Sequence, residues 1–87
     1  MKIESQSEGE TMIIWLIGRI RAEDLDELKK QLENSAEAKI LDLSELTIVD
    51  AEVIRFLSVI EREGTRFVGC PTYVREWILR ERPEKSV

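Results

Sequence analysis

Apolar side chains recur along the chain with a period near two in some stretches and near four in others, and each change of period marks a new element. "KIESQ" (residues 2–6) reads as a weak edge strand, and "SEGE" (7–10) as the turn after it, with Gly9 the permissive residue. "TMIIWLIG" (11–18) is apolar on both faces, as strands inside a sheet usually are. Over 22–34, "AEDLDELKKQLEN" sets Leu25, Leu28 and Leu32 on one helical stripe, with acids in the first turn and lysines later, the polarity that the helix dipole favours. Asn34 and Ser35 are the expected stop. "AKILDLS" (38–44) is the next strand, and "ELTIV" (45–49) reads as a turn, so a helix is expected to follow that strand directly. The stripe Val53, Phe56, Leu57, Ile60 predicts this second helix, with Asp50 at its start and Gly64 at its left-handed C-terminal cap. "TRFVG" (65–69) is a last strand. "CPTYVREWILRER" (70–82) follows, with Pro71 at the first helical position, Val74, Trp77 and Ile78 down one face, and Pro83 closing it. This order implies an α/β fold, with a largely parallel sheet, right-handed crossovers and an antiparallel edge hairpin.

The 87 residues make one domain, 1–87, whose core buries about 60–65% of the unfolded chain's surface. The formal charge of −5 speaks against a sequence-independent grip on nucleic-acid phosphates and favours a protein partner. The longest apolar run, "MIIWLI" (12–17), is far shorter than the ~20 residues of a spanning helix, and "MKIESQSEGE" is too polar for a secretory signal. The expected location is cytoplasmic, not embedded in a membrane.

Candidate chemistry thins the functional classes further. Cys70 is the single cysteine and there is no histidine, so neither a usual zinc site nor a Cys-His nucleophile pair is expected; Cys70 reads as a small hydrophobe at a strand end. The carboxylate pairs Asp24/Asp26 and Asp50/Glu52 read as surface charge, and no phosphate-cradling glycine loop occurs. The expectation is therefore no enzyme, no cofactor and no metal. Trp15, Tyr73 and Trp77, at strand and helix spacing, read as core or half-buried edge before they read as a ligand patch. Arg75, Arg80 and Arg82 interleave with Glu76 and Glu81, which describes a solvated helix face.

Three stretches together resemble the STAS domain, the fold of bacterial anti-sigma factor antagonists. They are Gly18 with "RIRAEDLDEL" beyond it, "ILDLS" with "LTIVD" after it, and "EGTRFVGC" leading into the last helix. The resemblance covers nearly all of the chain. It implies a mixed, mostly parallel sheet of four to five strands with about three helices chiefly on one face. It also implies a protein-binding regulatory module whose partner is an anti-sigma factor or related signalling protein. The family's usual pattern is Asp-Leu-Ser followed by Asp-Ser-Ser-Gly, in which a partner kinase phosphorylates the first serine after the second aspartate. Asp42, Ser44 and Asp50 keep that pattern, whereas Ala51, Glu52 and Val53 stand at the two serines and the glycine. Alanine has no hydroxyl to esterify, so no phosphorylation switch is expected at that position. By the same resemblance the partner-binding residues are Asp50, Ala51, Glu52 and Arg55. The alternative is a small STAS accessory subunit on the ATPase of an ABC-type lipid transporter, a role for which a serine is unnecessary. Oligomeric state stays open.

The junction at Asp50 is informative in physical terms too. The first amides of a helix lack intrahelical partners and lie at the positive end of the dipole, so a phosphate there would be held and would change the surface by nearly two charges. Asp50 is expected to cap these amides, and Glu52 to place a constant charge in the first turn, worth about 0.3–1 kcal/mol. Glu52 reads first as an ordinary first-turn acid. Imitation of a phosphorylated state is the second reading, since one carboxylate, one residue along, matches neither the charge nor the position of a phosphoserine. Thr47 and Ser44 are the hydroxyls nearby, and Thr47 reads as a half-buried strand or turn residue before it reads as a phosphoacceptor.

Overall fold

A computed structural model describes residues 2–33 and 38–81. The expected helix stop at Asn34 and Ser35, and the expectations at Arg82 and Pro83, lie outside these residues.

The fold is α/β. Strands β1 (Lys2–Glu8) and β2 (Thr11–Ile20) form the antiparallel hairpin, and Gly9 turns between them at φ +64°. A 3-10 turn, Ala22–Asp24, leads into helix α1 (Leu25–Glu33). Strand β3 (Ala38–Asp42), strand β4 (Leu46–Val49), helix α2 (Ala51–Arg62), strand β5 (Arg66–Val68) and helix α3 (Thr72–Glu81) follow. The sheet runs β1-β2-β3-β5, with β2, β3 and β5 parallel.

Strand β4 corrects the expectation that "ELTIV" is a turn. It pairs in parallel with the last part of β2, on the edge that β3 occupies lower down. The register shifts between Gly18 and Arg19, and Gly18 N–H donates to the Glu45 carbonyl at 2.9 Å. A bulge lets one long strand be flanked by two short ones in succession. Leu46 and Val49 are buried while Thr47 and Ile48 are exposed, so the segment lacks the alternation that announces a strand.

One apolar cluster joins the inner face of the sheet to the helices. Met12, Ile14, Leu16 and Leu41 from the sheet pack with Leu28, Val53, Leu57, Ile60, Val74 and Ile78 from the helices, and Ile3 and Phe67 extend the cluster to both sheet edges. The predicted stripes face the core, but not all of their residues are fully buried: Leu25 and Leu32 on α1, Phe56 on α2 and Trp77 on α3 are half-buried, and on α2 Ile54, outside the predicted stripe, is fully buried. The second helix ends as Gly64 predicts. At φ +110°, Gly64 donates to the Glu61 carbonyl at 3.1 Å and Thr65 donates to the Ile60 carbonyl at 3.0 Å, the paired bonds of a Schellman motif. Pro71 sits one residue earlier than expected, just before α3, where its carbonyl accepts from Arg75 N–H at 3.0 Å.

Candidate protein-docking site at the start of the second helix

Buried Val49 ends β4, and Asp50 turns the chain in an extended conformation (φ −89°, ψ 163°). Its carbonyl accepts the first helical bond, from Ile54 N–H at 3.1 Å, which places Asp50 at the N-cap of α2. Its carboxylate goes elsewhere. Oδ2 accepts from Ala22 N–H at 3.0 Å, which corrects the expectation that Asp50 caps the amides of its own helix. The reason is geometric: β2 and β4 are parallel neighbours, so the turn after one and the helix after the other begin side by side. The unpaired amide at the start of the 3-10 turn takes the carboxylate. Asp24 completes that turn by accepting from Arg21 N–H at 2.9 Å.

Ala51 is half-buried, and Glu52 and Arg55 are exposed on the opening turns of α2. Arg55 points away from the buried stripe, and its Nε lies 3.5 Å from Glu81 Oε1 on α3. The four candidates thus differ in availability. Glu52 and Arg55 face solvent, Ala51 is half-buried, and Asp50 is committed to the frame.

The neighbouring loop is equally fixed. Asp42 Oδ1 accepts from Ser44 N–H at 2.9 Å and from Ser44 Oγ at 2.6 Å, closing the jog between β3 and β4. Gly69, at φ +64°, presses on this loop so closely that a Cβ there would meet Ser44 Cβ at 2.7 Å. Thr47 lies on β4 and is exposed, not half-buried as expected, and its carbonyl accepts from the Tyr73 hydroxyl at 2.6 Å.

Sequence reasoning missed two anchors. One is the Tyr73–Thr47 bond; the other is Arg75, expected on a solvated face, which pairs bidentately with Glu61 of α2 at 2.9 and 3.0 Å. That hydrogen bond pushes Arg75 further above its ordinary pKa. Next to it burial pushes the Cys70 thiol up, with Arg75 opposing and Glu61 reinforcing the shift. A basic residue facing an acid of another helix leaves no local signal in sequence. Trp15 lies on the sheet face opposite the helices, and Trp77 and Tyr73 belong to α3, so the three do not join in one aromatic patch.

Among the described residues no cluster of three or more His, Cys, Asp or Glu side chains is placed to hold a metal ion. No helix among them is long and apolar enough to cross a membrane.

No protein-family model matches the chain, and no curated protein matches it. Among solved structures it is similar to one described as "Crystal Structure Analysis of Mglu", with a TM-score of 0.52 and 22% identity over 74% of this chain. The match spans 18% of that longer chain, and the likeness is one of fold.

Proposed function

We propose that the chain is a cytoplasmic protein-binding module of the STAS type, resembling an anti-sigma factor antagonist, and that it docks through the start of α2 without a phosphorylation switch at residue 51. The observation that supports this reading is the division of labour at that helix start. Asp50 ties α2 to the turn after β2, and this holds Glu52 and Arg55 exposed on a fixed backbone beside the hydroxyl-free Ala51. A preorganised pair of opposite charges on a rigid helix suits recognition, because little ordering is needed on binding. Catalysis has less to work with, since the chain contains no histidine and a single cysteine.

The module is expected to bind its anti-sigma factor constitutively, as the unphosphorylated antagonists of the family do. The test is association kinetics with a purified anti-sigma factor from the same genome, comparing the parent chain with Glu52→Lys, Arg55→Glu and the α1 control Glu33→Lys. The two α2 variants should associate more slowly and with altered salt dependence, and the control should match the parent. Equal kinetics for all four chains would remove the helix start as the docking surface. No binding by the parent would remove the anti-sigma reading itself.

A further inference from the structure

The inner face of the sheet is covered by three helices, and its outer face is covered by nothing among the described residues. Parallel sheets are normally buried on both sides. Strand β2 is composed for that situation: Met12, Ile14 and Leu16 fill the core, and the intervening Ile13, Trp15 and Ile17 are equally apolar but only half-buried. Ile40 of β3 pairs with Ile13 and continues this outer surface. Its rims are charged and unlike. Strand β1 presents Glu4 and Glu8 on either side of Gln6, with Lys2 bound to Glu4 at 3.3 Å and Gln6 donating to Glu8 at 3.1 Å. Strand β5, at the opposite edge, presents Arg66, whose guanidinium has no hydrogen-bond or ion-pair partner among the described residues.

We infer that this outer face is a homodimer surface, occupied by a second copy of the chain packed face to face about a two-fold axis parallel to the strands. The register makes it self-complementary. Gln6, Ile13, Ile40 and Arg66 form one row across the four strands. A two-fold along the strands reverses the row, so Ile13 meets Ile40 of the second copy, and Arg66 meets Gln6 of the second copy with Glu4 and Glu8 each about 7 Å to either side. Four such contacts arise from each pair of residue types being used twice. The other face-to-face two-fold, across the strands, sets Glu4 against Glu8 of the second copy and is opposed by like charge. Charge therefore selects between the two arrangements that the apolar row alone would permit. A patch four strands wide, with strands about 4.8 Å apart, is small beside the ~800 Å² per partner of a standard interface, so the dimer is weak and depends on concentration. The surface at the start of α2 is separate from this face, and the dimer carries two copies of it.

Sedimentation equilibrium of the full chain over a concentration series tests the inference. The apparent mass should climb from 10.1 kDa towards twice that value as concentration rises. Ile13→Lys should hold it at the monomer, and Arg66→Glu, at an exposed position that leaves folding intact by circular dichroism, should weaken association at least tenfold. Reversing both rims together, with Glu4→Lys, Glu8→Lys and Arg66→Glu in one chain, should restore it. A parent that stays monomeric up to millimolar concentration overturns the proposal, as does an Arg66→Glu variant that associates like the parent. Failure of the reversed-rim chain to recover over Arg66→Glu overturns the assigned two-fold.

Discussion

The Asp50 carboxylate and the Ala22 amide are 28 residues apart in sequence and form one part-buried hydrogen bond, which holds the start of α2 against the end of β2. Asp50→Ala would leave the Ala22 N–H without its acceptor while keeping the backbone free to form α2. A hydrogen bond to a charged group contributes about 1.5–3 kcal/mol. Asp50→Ala is therefore expected to lower unfolding free energy by roughly that amount in urea denaturation, with an unchanged slope. A midpoint equal to that of the parent would show that water replaces the carboxylate at no cost. Glu52→Ala, whose side chain is exposed, serves as the comparison and should shift the midpoint little.

Among the helices, α2 does the most packing. Its Val53, Ile54 and Leu57 are all fully buried, and Ser58 and Ile60 nearly so. A helix that meets only a sheet needs one apolar stripe, whereas α2 also packs against α3 and buries a wider arc. Leu57, at 0% exposure, lies in the middle of that arc. Leu57→Ala should cost about 2–5 kcal/mol in chemical denaturation, because the walls of the cavity are set by both the sheet and the neighbouring helix and cannot collapse fully. An unchanged midpoint would exclude Leu57 from the core. The Glu61–Arg75 pair sits on the same α2–α3 seam and has both side chains partly shielded, so it fixes the angle at which the two helices meet more than it adds stability.

At the scale of the molecule, every buried apolar residue among those described belongs to one cluster, and no described element has a core of its own. A single core predicts one cooperative transition. Trp15 on the outer sheet face and Trp77 on α3 report from opposite sides of that core. In dilute solution, tryptophan fluorescence and far-ultraviolet circular dichroism should give the same denaturant midpoint. A fluorescence change that comes clearly first would mean that α3 or the outer face loosens ahead of the rest.

The sequence by itself determined which face of each helix turns inward. Leu28, Val53, Leu57, Val74 and Ile78 were each placed by helical spacing, and each is fully buried. The hairpin turn at Gly9 and the cap at Gly64 were legible as well, because a side chain's direction and a glycine's freedom follow from local backbone geometry. Other features were decided only when elements came together. Strand β4 exists because a bulge in β2 opens a second stretch of edge to pair with, and "LTIV" carries no period-two pattern of its own. The candidate docking residues Asp50, Ala51, Glu52 and Arg55 were located by resemblance at a helix start, yet the tertiary structure separated them, committing Asp50 to the frame and leaving Glu52 and Arg55 exposed. The Asp50–Ala22, Tyr73–Thr47 and Arg75–Glu61 contacts span 28, 26 and 14 residues. A polar side chain has many partners within reach of its own charge, and the one it takes depends on which elements the core has already brought alongside.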